Sequence, residues 1–332
     1  MKEFSAAVIG CGRAGSLFDL EDKRKVISSH CGAYTQSPMT DLIAICDKDK
    51  KKLSVSSDFW GIKKTYQTYH DLLDSEKIDI LSICTLPESH LEIIDFSVKK
   101  GVKAIYCEKP ISKSLSEANQ IIQTCKENNI LLTVNHQRRW SSEFLDIKNK
   151  IQEKQFGEIQ HINFYYSRGV YNSGSHLFDL LRMLFGEVKK VFSTSSIIDF
   201  EKEPTISAFL HFKNNYSANL IGLDGNNYRA FDLEIFFTEA KLTINSSLEV
   251  SVSKAKESTR TKEFFELSRP LRIKIKKDKE SPMVRAVEEI ANNLVKKGFN
   301  SCSGVDGYKS LEIIHSLIES LEKKREIILP LR

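Results

Sequence analysis

The chain has 332 residues, a length that at roughly 150 residues per domain gives about two domains, each able to bury a core. Hydrophobic residues make up 41% and charged residues 28%, near globular proportions, which excludes a disordered or fibrous chain. Lys plus Arg number 49 against 44 Asp plus Glu, a balance of +5 with both signs spread along the chain, so nucleic acid is not an expected partner.

No apolar stretch approaches the ~20 residues of a membrane span. Met1-Lys2-Glu3 leads straight into a short apolar run instead of a signal peptide. A cytoplasmic protein without membrane contact is expected. Seven cysteines, an odd number without paired metal-type spacing, suit free thiols in a reducing compartment. Neither a disulfide nor a metal site is assigned.

The apolar run at 4–9 reads as a buried strand that stops at Gly10, and similar runs recur at 42–46, 79–84, 103–107 and 130–134. Helix-like stretches at 88–100 and 114–128 lie between them, and strand alternating with helix implies a parallel sheet. Gly101 after Lys99 and Lys100 reads as a left-handed helix cap. After about residue 134 the pattern changes to a helix at 141–155, a strand near 159–168 and a helix at 175–185. Mostly alternating strands follow from 188 to 276, an antiparallel sheet with one open face. Within it, 207–213 and 216–221 read as a hairpin and 231–237 as another strand. Helices near 283–297 and 306–324 end the chain. Lys274, Lys276, Lys277 and Lys279 read as a solvated strand edge.

Gly10-Cys11-Gly12-Arg13-Ala14-Gly15 is a G-x-G-x-x-G sequence that follows the first strand and is expected to open a helix. There the glycines permit a tight turn and let a pyrophosphate approach helix amides. The second strand ends at Asp47, whose carboxylate suits ribose hydroxyls and repels a 2′-phosphate, so NAD is favoured over NADP. Lys48, Lys50, Lys51 and Lys52 partly offset that repulsion. Asp47 lies 32 positions after Gly15 instead of the usual ~20, which places an insertion at about 18–30, on the polar run 19–25. That loop either borders the site or is decoration.

Thr85-Leu86-Pro87-Glu88-Ser89-His90 follows the fourth run, and Glu108-Lys109-Pro110 the fifth. With the glycine fingerprint, Gly157-Glu158-Ile159 and the segment from Ser175-His176 to Leu181, they resemble the glucose-fructose oxidoreductase/inositol dehydrogenase/rhizopine-catabolism family across nearly the whole chain. The resemblance implies an α/β chain with a doubly wound Rossmann domain at 1–134. A substrate-binding and oligomerisation α/β domain with a large, mostly antiparallel open-faced sheet would occupy 135–332. It further implies an NAD-dependent oxidoreductase that moves hydride between nicotinamide and a secondary alcohol or ketone. Its substrate would be a sugar, sugar acid, polyol or nucleotide-sugar, held between the domains, and its assembly a homodimer or homotetramer.

By the same resemblance, Gly10, Gly12, Arg13, Ala14, Gly15, Asp47, Thr85, Leu86, Pro87, His90, Glu108 and Lys109 form the cofactor site. Lys109 lies beside nicotinamide and substrate, where an ammonium stabilises alkoxide character. His176 matches the histidine of an Asp-x-Gly-x-His string, a general base toward a substrate hydroxyl. Here Asn172 replaces the aspartate, and an amide accepts no proton. Three readings stay open: His176 works with Lys109 alone; Tyr165, Tyr166 or Tyr171 assists; or the chemistry is lost while binding persists. Non-catalytic dinucleotide-binding regulation and NAD-dependent glycoside hydrolysis are the alternative functions. Asn172 and Arg168 are further substrate-binding candidates, Arg168 through its planar fork. Arg138-Arg139-Trp140 falls near the family's Arg-Phe pair, where one arginine is expected to tie the domains. Asp179 reads as structural, and His30, His70, His136 and His161 have no clear partner in sequence.

Overall fold

A computed structural model describes residues 3–21, 26–200, 202–277 and 280–331. Contacts divide the chain into two compact units, Met1–Ser141 with Asp278–Lys309 and Ser142–Lys277 with Ser310–Arg332. The stretch 278–309 thus groups with the amino-terminal residues, a return of the chain that a single cut after 134 does not include.

In the first unit the chain runs β1 (Phe4–Ile9), α1 (His30–Gln36), β2 (Thr40–Cys46), α2 (Lys50–Trp60), β3 (Lys64–Tyr66) and α3 (Tyr69–Ser75). It continues with β4 (Ile80–Ile83), α4 (His90–Lys99), β5 (Ala104–Cys107), α5 (Leu115–Glu127) and β6 (Leu131–Val134). The strands form one parallel sheet in the order β3-β2-β1-β4-β5-β6, the doubly wound arrangement of a Rossmann fold. β4 and β5 are buried at every residue, which is why they read as continuous apolar runs. Side-chain caps fix several helix starts: Asp49 accepts from the amides of Lys51 and Lys52, Thr68 from Asp71 and Ser114 from Glu117, each worth about 1 kcal/mol. Gly101 takes φ +76 just past α4, the left-handed conformation its position requires.

Three elements of this unit escape the periodicity. β3 is three residues on the sheet edge, α3 has seven residues, and α2 buries only Leu53 and Ser56. The helix expected to open at the glycine fingerprint is also interrupted: a short 3₁₀ turn covers Leu17–Leu20, and α1 begins only at His30.

The second unit holds α6 (Ser142–Gln152), β7 (Ile159–Tyr166), α7 (Ser175–Phe185), β8 (Val188–Phe200), β9 (Glu203–Phe212), β10 (Ser217–Gly222) and β11 (Phe231–Phe237). Then come β12 (Ala240–Ile244), β13 (Val250–Glu257), β14 (Phe265–Leu267) and β15 (Leu271–Arg272). α8 (Pro282–Val295) belongs to the first unit, α9 (Gly304–Lys323) starts there and ends in the second, and β16 (Ile327–Ile328) closes the sheet. The strand order is β14-β13-β12-β11-β7-β10-β9-β8-β16, antiparallel except for the β7–β10 pair. β9 and β10 form the expected hairpin, with Asn215 at φ +65 in its turn.

One face of this sheet packs Ile162, Phe164, Leu210 and Leu233 into a core with Phe144 of α6, Phe178 and Leu181 of α7, and Ile314 and Leu317 of α9. Each such side chain contributes about 1.5–3 kcal/mol of burial. The lysine run departs from the expected strand edge. Of this segment, Leu271–Arg272 pair with β13, whereas Lys274, Lys276 and Lys277 lie beyond that strand, with the Lys276 amide donating to Asp146. Lys279 lies outside the described residues.

Candidate cofactor and substrate site

β1 ends against β4, where the Cys84 amide donates to the Ile9 carbonyl and the Gly10 amide to the Cys46 carbonyl of β2, both at 2.7 Å. Gly10 sits at φ +96, and a Cβ there would lie 2.7 Å from the Cys84 carbonyl carbon. A Cβ on Gly15 would overlap the Gly10 carbonyl oxygen. Packing within the protein therefore explains both glycines. Gly12 is different: a Cβ there meets nothing within 4 Å, so the protein itself does not demand glycine at that position. A glycine there leaves the turn's amides open to the approach of an anion. Asp47, at the end of β2, accepts the Cys11 amide at 2.7 Å and the Asp49 amide at 2.8 Å, which fixes its carboxylate beside the turn. Burial first, and the Asp47 charge second, push the Cys11 thiol up to about 12, so no thiolate opposes an anion here.

The helical path from this turn is spliced. Amides of Ser16 and Phe18 donate to Gly12 and Arg13, after which the chain leaves; His30 and Cys31 then donate to the carbonyls of Ala14 and Gly15 at 3.0 and 2.9 Å. In an unbroken helix residue 18 takes the Ala14 carbonyl, so the insertion is 30 − 18 = 12 residues. Subtracting it from the interval 47 − 15 = 32 restores the usual ~20. Asp19 pins the loop by accepting the Ser28 amide at 2.6 Å, the Ser29 amide at 3.1 Å and the Ser29 hydroxyl at 2.5 Å. Residues 22–25 of the insertion lie outside the described residues. Arg13 is two-thirds exposed, donates to Glu21 and rests its guanidinium 4.6 Å from the Phe18 ring centre. A surface pair of about 0–1 kcal/mol leaves that guanidinium open to competition by phosphate.

After β4, Leu86 is exposed and Pro87 begins a short 3₁₀ turn. His90 departs from its expected place against the cofactor. It is wholly buried, with ring nitrogens 3.0 and 3.2 Å from the carbonyl oxygens of Ile111 and Thr85, so it braces the loops instead of touching a ligand. Burial holds its pKa below the ordinary 6.5. Glu108 is likewise committed inward: Oε1 accepts His30 Nε2 at 3.0 Å and Asn135 Nδ2 at 2.6 Å, while Oε2 accepts the Lys109 amide at 3.2 Å. Burial works against its charge, but His30, the Lys109 ammonium and Asn135 together hold its carboxyl at about 2. The Lys109–Pro110 peptide is cis. Arg139 donates to the Ser301 carbonyl and pairs with Asp306 at 3.0 Å, both within the first unit.

In the second unit Arg168 and Asn172 lie on one wide turn leading into α7, and His176 is the second residue of that helix. Arg168 takes φ +72 while its amide donates to Asp199 at 2.7 Å. Glu203 accepts the Tyr171 and Asn172 amides at 3.2 and 3.0 Å, and the Asn172 side-chain amide donates to the Arg168 carbonyl. The turn therefore presents its side chains from a backbone braced by two carboxylates of β8 and β9, neither of which carries a signal in sequence. Tyr165 and Tyr166 are engaged elsewhere, donating to Glu234 and to the Ile206 carbonyl; Tyr171 sits on the turn itself. Asp179 is buried against Arg182 at 3.7 Å, a structural role. Among the described residues no group of three His, Cys, Asp or Glu side chains is arranged to hold a metal, and no helix is long and apolar enough to cross a membrane.

Residues 4–136 match the oxidoreductase family with an NAD-binding Rossmann fold, and residues 166–243 the GFO/IDH/MocA C-terminal domain. A D-apiose dehydrogenase of Paraburkholderia graminis is 24% identical over 60% of this chain. The chain spans about half the length of that enzyme and of its Rhizobium rhizogenes counterpart. Myo-inositol 2-dehydrogenase of Thermotoga maritima is 25% identical across 96% of this chain and 97% of its own. The structure of levoglucosan dehydrogenase in complex with NADH and L-sorbose superposes with a TM-score of 0.80 at 17% identity, covering 100% of both chains.

Proposed function

The chain belongs to the Gfo/Idh/MocA oxidoreductase family, and from that membership we propose that it is an NAD-dependent dehydrogenase of a sugar or polyol. The observation that carries this reading is the carboxyl edge of the parallel sheet. Gly12 faces open space at the point where the strand order reverses, between β1 and β4, with Asp47 on one side and Glu108-Lys109 on the other. Dinucleotides bind across such a switch point. Gly10, Gly12, Arg13, Ala14 and Gly15 hold the diphosphate, Asp47 the adenosine ribose, and Thr85, Leu86 and Pro87 the nicotinamide half.

Bound NAD supplies the hydride acceptor; the protein supplies placement and charge. Lys109 stabilises the developing alkoxide, His176 takes the hydroxyl proton, and Asn172 and Arg168 orient the substrate. The named activities of the relatives, on inositol and on apiose, direct the substrate class toward polyols and sugars. NADH absorbance across a panel of inositols, pentoses, sugar acids and nucleotide-sugars tests the reading. Lys109→Ala is expected to lower kcat by roughly 10²–10³-fold while NADH still binds. Tight NADH binding without turnover on any member contradicts the reading and favours a ligand sensor, the outcome to which Asn172 in place of an aspartate points.

A further inference from the structure

Behind Lys109 lies a buried polar chain that no step above uses. Tyr34 and His30 of α1, Ser82 of β4, Tyr106 of β5 and Asn135 after β6 are all buried. Tyr34 Oη lies 2.8 Å from Ser82 Oγ, Ser82 Oγ 2.7 Å from His30 Nδ1, and His30 Nε2 3.0 Å from Glu108 Oε1. Tyr106 donates to Asn135 Oδ1 at 2.7 Å, which turns the Asn135 amide nitrogen toward the same carboxylate oxygen at 2.6 Å. The His30 and Tyr106 rings lie 4.4 Å apart, closing the site laterally.

One set of donors satisfies every member. Tyr34 donates to Ser82, Ser82 to His30 Nδ1, His30 Nε2–H to Glu108, and the Lys109 amide to the other Glu108 oxygen. Removing one partner leaves a buried carboxylate short of a donor, a large penalty in a low dielectric. His30 reaches this place only because the 12-residue loop returns the chain to the Ala14 carbonyl. The network therefore joins the diphosphate turn to the Glu-Lys-Pro segment.

We propose that His30 and Asn135 are positioning residues that act through Glu108 to fix the backbone direction and the ammonium charge of Lys109. This inference rests on the reading of Lys109 as the group that stabilises the reacting oxygen. The other titratable groups that feel the Glu108 charge are Cys84 and His90 from the end of β4 and start of α4, and Tyr106 and Cys107 from β5. Burial holds the thiols and the phenol up and His90 down, so all four are neutral near pH 7. Beside His30, which bonds Glu108 directly and does most to hold it ionised, the Lys109 ammonium is a further opposite charge that Glu108 meets, and the attraction between Glu108 and Lys109 is mutual.

Competitive labelling with trinitrobenzenesulfonate at graded pH, read for the Lys109 peptide by mass spectrometry, follows the ionisation of Lys109 without any substrate. The midpoint is expected to fall by roughly one unit in Glu108→Gln and in His30→Ala, and to recover in His30→Gln, whose amide restores a donor toward Glu108. An unchanged midpoint in Glu108→Gln overturns the inference, as does failure of His30→Gln to restore it when His30→Ala lowers it. With NAD and myo-inositol as the turnover probe, His30→Ala is expected to lower kcat at least tenfold while the KM for NAD stays within about threefold. A wild-type protein that turns over no polyol or sugar counts against the functional reading alone, because the labelling experiment decides the inference independently.

Discussion

Three glycines in the same six-residue turn have different reasons to be glycine, and substitution separates them. Gly15→Ala forces a Cβ into the Gly10 carbonyl, so it is expected to fail to fold or to lose several kcal/mol, as overpacking against backbone does. Gly12→Ala meets no protein atom and is expected to keep its thermal midpoint while weakening NADH binding at least tenfold by fluorescence titration. Equal binding by wild type and Gly12→Ala would remove the diphosphate from this turn. Glu108 carries the residue-scale pH dependence. Its carboxyl is held at about 2 against an ordinary 4.5, so the stability it contributes, about 3 kcal/mol, is present above pH 4.5 and is lost as pH falls toward 2. Urea unfolding is therefore expected to show wild type exceeding Glu108→Gln by that order above pH 5, with the gap closing at lower pH. A gap independent of pH would contradict the buried ionised carboxylate. The glycines, Asp47 and Lys109 are legible in sequence because each sits in a short string or at a fixed spacing from one, the G-x-G-x-x-G turn, the end of the second strand and Glu-Lys-Pro. His30, Asn135, Glu203 and Asp199 are not, since each acquires its role from partners 27 to 105 positions away.

At the scale of elements, the spliced first helix is the main departure from the sequence pattern. Gly12–Gly15 and α1 behave as one helix with twelve residues looped out, and Asp19 is the latch that closes the loop onto Ser28 and Ser29. Gly32 makes room for it, because a Cβ there would run into the Asp19 carboxylate and lie 3.0 Å from Trp60. Asp19→Ala leaves two amides and a hydroxyl without their acceptor, a cost of about 1–3 kcal/mol, so a drop of several degrees is expected in a thermal scan. An unchanged midpoint would show that the loop is held by other contacts. Apolar runs fix β1, β4, β5 and β6 in the sequence because both faces of a parallel sheet are covered. α2, α3 and β3 lack that signal because they lie at the rim, where few side chains are buried.

At the scale of the whole molecule, the second sheet carries a face that the core does not use. Phe192 and Phe209 are cross-strand partners on β8 and β9, yet 38% and 56% exposed, and Ile198 is 63% exposed. Apolar side chains gathered on one face of a sheet are expected to pair with a second copy, so light scattering should give a dimer or a larger assembly. A monodisperse monomer at assay concentration would contradict this, and Phe209→Lys is expected to dissociate the assembly without unfolding it. The sequence by itself determined the α/β class, the parallel first sheet and mostly antiparallel second, the glycine turn with its acidic partner, and the family. These depend on local period, residue type and spacing, which survive without knowledge of contacts. Only the tertiary structure decided that α8 returns to the first unit, where Trp140 donates to Glu289 at 3.0 Å and Thr133 bridges Ser303. It alone decided that an inserted loop restores the helix register, and that His90 and Glu108 face inward while His30 and Asn135 stand behind Lys109. Such outcomes are set by which distant groups must satisfy one another once water is excluded, and no local pattern records that requirement.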